Sequence, residues 1–369
     1  MKFQNRRLAS LAAVTLVASL ALTACGSDDN GSSSNGEGGN GDGAAITFIP
    51  KNLGNPYFDT SNAGGEEAID EFGGSYEQVG PAQGSPDGQV QYINTATQQG
   101  RNALVVSAND PDALCDAINE ARDAEIAVVT FDADTNPECR DIFVNQADAE
   151  GIARVQVDLI AEQIGGSGEI AFLSAAANAT NQNEWIRLME EELAANHPDI
   201  EVVDTVYGDD DDQTSFDRTA ALLQSYPDLA GIISPTTVGI AAAARYLSTS
   251  DAKGEVKLTG LGTPNQMREY VEDGTVDAFA LWNPADLGYL AAYTAKALVD
   301  GDIEGEGDSF EAGRLGDYTV GEGNTVLLGD PVVFDADNIA DFDFGSSLAE
   351  LARPGPDDQV EEGFAAPNL

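Results

Sequence analysis

The feature that most constrains this chain is an alternation. From residue 44 onward, short apolar runs alternate with longer segments whose apolar residues recur at helical spacing. The runs predict strands at 46–49, 103–106, 126–131, 142–144, 169–173, 200–206, 231–233, 257–261 and 278–281. The segments between them predict helices at 57–72, 87–99, 111–123, 149–164, 183–196, 214–225, 239–247 and 265–273, and one from near 286 to 299. A strand buried on both faces reads as a continuous apolar run, and a helical crossover leads it to a parallel neighbour. The expected class is therefore α/β, doubly wound, with helices on both faces of parallel sheets. The strands are too many for one small domain, and 369 residues suffice for two lobes with their own cores. Periodicity alone also permits a closed barrel. Beyond 300 the pattern changes: 300–323 is rich in Gly, Asp and Glu and reads as loop, 326–328 and 332–334 as short strands, and 348–369 as an acidic tail.

Open α/β sheets bind ligands at the carboxyl ends of their strands, so the residues following each strand are the candidates. The stretch Ala278–Tyr289 is the most informative. Its strand runs out at Trp282 and Asn283, and Pro284 pushes Asn283 away from helical geometry. Strand 46–49 leads to Lys51, Asn52, Asn55, Tyr57 and Phe58. Strand 126–131 leads to Asp132 and Asp134, strand 169–173 to Asn181, Gln182 and Asn183, and strand 231–233 to Pro235, Thr236 and Thr237. One cation, two carboxylates, several amides and hydroxyls and a few rings suit a neutral polyhydroxylated ligand. Phosphate would call for more positive charge or a glycine-rich cradle. Each residue also has a plainer explanation: Lys51 as a surface lysine, Asp132 as a turn cap, Asn181–Asn183 as a helix N-cap cluster, Trp282 as core. Their shared position at strand ends favours a site.

Several function classes are excluded. Lys and Arg total 17 against 64 Asp and Glu, a net charge of -47, so nucleic acid is not a partner. His197 is the single histidine, which rules out a two-histidine zinc motif, and no phosphate-binding loop or nucleophile-elbow motif is present. Asp132-Ala-Asp134-Thr-Asn136 begins like a calcium loop, but Pro137 stands where glycine is required. No metal or cofactor is expected. The acidic run Asp209–Asp212 reads as a solvated turn.

The start is a targeting segment. Lys2, Arg6 and Arg7 precede an apolar run at 8–22, then Leu22-Thr23-Ala24-Cys25. This is the build of a secretory signal, and its ending resembles a bacterial lipobox, which implies cleavage before Cys25 and a lipid on its sulfur. Residues 1–25 are thus assigned to a lipoprotein signal and 26–44 to a flexible tether. Export permits disulfides, and the remaining Cys115 and Cys139 lie in adjacent βα units, so a bridge between them is expected.

With these residues in view, the chain resembles the type I periplasmic sugar-binding proteins of ABC transporters, in the branch of rhamnose-binding and autoinducer-2-binding proteins. The resemblance runs from about Ile46 to Phe344. It is carried by Ile46-Thr-Phe-Ile-Pro-Lys51, Thr130-Phe-Asp-Ala-Asp-Thr135 with Pro137-Glu-Cys139, Thr180-Asn-Gln-Asn-Glu-Trp185, Ser234-Pro-Thr-Thr-Val-Gly239, Gly260-Leu-Gly-Thr-Pro264 and Leu281-Trp-Asn-Pro284 with Leu287-Gly-Tyr289. It implies two lobes joined by a three-strand hinge, the first at 45–146 and 284–318 and the second at 147–283 and 319–369. It also implies ligand contacts from Lys51, Asp132, Asn181, Gln182, Pro235, Thr237 and Asn283, with apolar walls from Tyr57, Phe58 and Trp282. The implied partners are a sugar, an ABC permease and its ATPase, for a monomer held to the membrane by its lipid alone. Asn181 and Asn283 are amides where the autoinducer-binding members carry acids. That departure favours rhamnose or a similar deoxyhexose, with autoinducer-2 as the alternative. An exported sugar-modifying enzyme using Asp132 and Asp134 is the competitor from another class.

Overall fold

A computed structural model of the protein describes residues 43–345. The signal segment, Cys25, nearly all of the tether and the acidic end lie outside the described residues.

The predicted alternation is present. The first series is β1 (Ala45–Ile49), α1 (Pro56–Glu71), β2 (Ser75–Gln78), α2 (Pro86–Gln98), β3 (Ala103–Val106), α3 (Cys115–Asp123), β4 (Ala127–Phe131) and β5 (Ile142–Asn145). The second is α4 (Ala149–Gln163), β6 (Gly168–Ser174), α5 (Thr180–Asn196), β7 (Ile200–Tyr207), α6 (Asp212–Ser225), β8 (Leu229–Ser234), α7 (Thr237–Ser248), β9 (Lys257–Gly260), α8 (Pro264–Glu272) and β10 (Ala278–Leu281). Then come α9 (Pro284–Asp300), β11 (Ser309–Glu311), β12 (Asp317–Thr319), β13 (Thr325–Leu327) and β14 (Val332–Asp335).

The strands form two open parallel sheets, which settles the barrel question. The first runs β13-β5-β4-β3-β1-β2 and the second β7-β6-β8-β9. β10 lies beside β9 through the parallel bridge between Leu261 and Ala280, and β14 pairs antiparallel to β10. The chain therefore crosses between the sheets three times: after β5, after β10, and between β13 and β14. β3 is buried at every position, as its uninterrupted apolar run requires.

Helix starts follow local signals. Proline occupies the first turn of α1, α2, α8 and α9, where its missing N–H costs no hydrogen bond. Asn55, Ser85, Asp148 and Asp211 cap their helices by accepting from backbone N–H groups. One helix starts later than its pattern predicts: residues 111–114 form turns, and α3 begins at Cys115.

Four strands depart from the sequence expectation. β2 is a half-exposed edge strand of sequence Ser-Tyr-Glu-Gln, with no apolar run to announce it. β11 and β12 pair as a short antiparallel hairpin inside the segment that reads as loop. β13 pairs with β5, so the chain stays with the first sheet to residue 327. The expected return to the second lobe at 319 is corrected accordingly: an edge strand of three residues carries too little pattern to reveal which sheet it joins.

Cys115 and Cys139 are joined by a disulfide with Cα atoms 5.2 Å apart. The bridge ties the start of α3 to the end of the loop that leaves β4.

α1 and α9 pack closely enough to exclude side chains at their crossing. A Cβ added at Gly64 would overlap the Ala285 carbonyl oxygen, and one at Gly288 would overlap the Ser61 carbonyl oxygen. Both obstacles are backbone and cannot swing aside. Gly288→Ala is expected to destabilise the fold by about 1–3 kcal/mol, the usual scale of overpacking. Urea denaturation checks this; a midpoint equal to wild type would show that the helices can separate freely.

Candidate functional site

The loops leaving β1, β4, β6, β7, β8 and β10 meet between the two sheets around a cavity of about 40 Å³. Its first wall comes from β1 and α1. Lys51 follows β1 and is 6% exposed. Its Nζ lies 3.8 Å from Asp132 Oδ2 and 3.4 Å from Asn181 Oδ1. Tyr57 and Phe58 are held in the first turn of α1, with their rings edge to face at 5.2 Å.

Asp132 is the centre of the polar network. It directly follows β4 with φ at 63°, a left-handed backbone that costs a non-glycine residue energy. Its Oδ1 accepts from Tyr57 OH at 3.0 Å and its Oδ2 from Ser107 Oγ at 2.9 Å. Trp282 Nε1, at the end of β10, donates to Tyr57 OH at 2.9 Å. Burial, and then the Asp132 charge, hold the Tyr57 phenol well above its ordinary pKa, so it remains a donor at neutral pH.

The opposite wall comes from the second sheet. Asn181 and Gln182 lie in the first turn of α5. Asn181 Nδ2 donates to the Asp132 carbonyl at 3.4 Å. Gln182 Oε1 accepts from Ser174 Oγ and the Ala175 N–H, at 3.0 and 2.9 Å. This leaves its Nε2 without a protein partner among the described residues. Pro235 and Thr237 line the cavity from the junction of β8 and α7. The Trp282 ring meets Tyr57 at 6.2 Å and Trp185 at 6.0 Å, in edge-to-face contacts that fix it as a wall.

Two expected residues lie elsewhere. Asn283 does not line the cavity. Its Oδ1 accepts from the Ala285 N–H at 3.0 Å and its Nδ2 donates to Asp286 at 3.0 Å, so the amide caps α9. Standing just before Pro284, it occupies the N-cap position, and the helix uses both ends of its side chain. Asp134 is likewise engaged in scaffold, taking Arg140 Nη2 at 2.9 Å and Thr130 Oγ1 at 2.5 Å. Arg140 in turn donates to the Gly323 and Asn324 carbonyls, fastening the approach to β13.

Two polar or aromatic cavity residues were not among the strand-end candidates: Trp185 and Asp210. Asp210 is the consequential one. It belongs to the acidic run that reads as a solvated turn, but the end of β7 turns it into the cavity. Asp209 and Asp210 both adopt positive φ, at 55° and 49°. Thr236 Oγ1 donates to Asp210 Oδ1 at 2.5 Å. Burial raises the Asp210 pKa; Lys51 and the Thr236 hydroxyl offset part of this, while Asp132 and Asp209 add to it. The available signal was its place after a strand, as for the other sites.

The match with known proteins is extensive. A family model described as "Periplasmic binding protein domain" matches residues 46–303. The chain belongs to this family. Among solved relatives of this periplasmic binding protein, a sugar ABC transporter protein from Actinomyces odontolyticus is 55% identical, with a TM-score of 0.68, covering 82% of this chain and 98% of that one. An ABC transporter solute-binding protein from Clostridium phytofermentas with bound L-rhamnose is 38% identical, with a TM-score of 0.78, covering 81% and 98%. LsrB from Clostridium saccharobutylicum, in complex with AI-2, is 26% identical, also at 0.78, covering 81% and 99%. The ribose import binding protein of Escherichia coli is 23% identical over 260 residues, 70% of this chain and 85% of that protein.

The raised pKa of Asp210 makes a prediction for the unliganded protein. A carboxyl whose folded value exceeds its unfolded value contributes stability that is present below about pH 4 and lost as pH rises through the folded value. Asp210→Asn should remove that slope while keeping the Thr236 contact. Melting temperatures of both proteins across this range check it; parallel curves would place the Asp210 carboxyl in water.

Proposed function

We propose that this protein captures a neutral deoxyhexose, L-rhamnose or a close relative, as the substrate-binding component of an ABC importer. The observation that carries the proposal is convergence: donors and acceptors from both sheets and the rings of Tyr57, Phe58 and Trp282 surround one small cavity. Hydrogen-bonding groups fix hydroxyls, and rings cover the apolar face of a sugar. Support for rhamnose comes from the 38% identical L-rhamnose-bound relative and from the amide, in place of an acid, at Asn181.

The mechanism is hinge closure. The two lobes comprise 45–145 with 284–327, and 149–281 with 332–345. A sugar that touches both favours the closed form by its preference for that form over the open one. Lys51 to Asn181 and Asn181 to Asp132 already bridge the two sides. A ligand lacking a matching hydroxyl leaves Gln182 Nε2 buried and unpaired, which is a source of selectivity. The closed surface then docks on the permease, whose ATPase drives uptake. Export and a lipid on Cys25 follow from the basic start, the apolar run and the Leu-Thr-Ala-Cys ending. The enzyme reading that would use Asp132 and Asp134 as a pair is disfavoured, because Asp134 is turned onto Arg140.

AI-2 is the second reading, favoured by the fold match to LsrB. A thermal-shift screen of L-rhamnose against AI-2 decides between them, with a rise for rhamnose expected. By calorimetry, Asp132→Ala and Gln182→Ala should each weaken rhamnose binding at least about tenfold, or ~1.4 kcal/mol, with the fold retained. Undiminished affinity in both would remove the cavity from consideration.

A further inference from the structure

A second chamber adjoins the first. It holds about 230 Å³, several times the space of the inner pocket. Lys51 and Asp210 line both chambers, so they form the wall the two share. The outer chamber is built by both sheets: Asn52 and Asn109 come from the first, and Asn178 and Asp209 from the second. Asn178 Nδ2 closes its rim by donating to the Asn109 carbonyl at 3.3 Å and to Asp110 Oδ2 at 3.4 Å.

The lining has a definite chemistry. Among the described residues, no aromatic ring and no large aliphatic side chain lines the chamber; the apolar residues there are Gly84, Pro86 and small alanines. Hydrogen-bonding capacity is unspent. Asn109 uses its Nδ2 on the Lys51 carbonyl at 2.8 Å, while its Oδ1 has no protein donor among the described residues. The Asn178 Oδ1, the whole Asn52 amide and the Asp209 carboxylate are likewise without protein hydrogen bonds among the described residues. Acceptors outnumber cations, which disfavours an anion. Amides that both donate and accept fit hydroxyl groups, and the lack of an apolar wall disfavours a lipid or aromatic substituent.

We propose that this outer chamber is a second saccharide subsite, and that the preferred cargo is a deoxyhexose carrying a second sugar ring. The first ring occupies the inner pocket, and the linkage passes between Lys51 and Asp210. The second ring replaces water on the amides of Asn52, Asn109 and Asn178. The proposal rests on the inner pocket being a monosaccharide site.

The test is calorimetry on the full chain with two ligands: L-rhamnose, and a disaccharide in which a hexose is joined through oxygen to the anomeric carbon of L-rhamnose. The disaccharide should bind at least as tightly as rhamnose. Ala176→Trp fills the outer chamber from its second-sheet wall. It should weaken the disaccharide at least about tenfold, or ~1.4 kcal/mol, and leave rhamnose unchanged. If that variant melts early, Asn52→Ala serves instead, weakening the disaccharide alone. Rhamnose binding with the disaccharide more than tenfold weaker overturns the proposal, as does a disaccharide affinity that neither variant changes. Absence of heat from both ligands with wild type overturns the reading of the inner pocket, and the second subsite with it.

Discussion

The closed cleft depends on one buried carboxylate. Asp132 receives Tyr57 and Ser107 and stands beside Lys51. Tyr57 in turn receives Trp282 from the far sheet. A charge taken out of water is costly unless it is paired and hydrogen-bonded, and here every partner is supplied by a different element. Network members polarise one another in a low-dielectric setting, so losing one member leaves the others poorly satisfied. The arrangement also fixes geometry: Asp132 holds the ring of Tyr57, and Tyr57 holds the indole of Trp282. The wall of the pocket is thus positioned by the same group that offers it a charge.

The layout was readable in the sequence because burial imposes period. Strands covered on both faces must be apolar throughout, and helices over them must show a stripe, so β1, β3, β4 and β6 announce themselves. β2 and β13 do not, because edge strands bury little and need little pattern. The site was legible through position rather than identity. Lys51, Asp132, Asn181, Gln182, Pro235, Thr237 and Trp282 follow strands and meet in one cavity. Asn283 follows a strand too, but an amide before a proline is also an ideal N-cap, and that local demand won. Asp134 was drawn to a buried guanidinium that no spacing rule exposes. Asp210 was hidden by its neighbours, since a run of four aspartates looks like solvent-facing turn when only composition is weighed.

The aspartates that face the two chambers share an unusual backbone conformation. Asp132 and Asp210 both carry positive φ, at 63° and 49°, as does Asp209 beside them. Left-handed backbone is disfavoured for side chains with a Cβ, and such residues persist where surrounding structure over-determines them. Asp134, which serves the scaffold, is not among them. The disulfide from Cys115 to Cys139 anchors the far end of the loop that begins at Asp132.

The triple crossing between sheets governs how the molecule can assemble. α1 packs against α9, and β5 receives β13 as its edge partner, so the early lobe waits for segments made more than 180 residues later. Neither half of the chain, cut anywhere near its middle, contains a whole lobe. Contacts this distant along the polymer require large loops to close before they are rewarded, which slows folding. An exported chain built this way spends longer incomplete, with apolar sheet faces uncovered, than a protein whose domains follow one another in line.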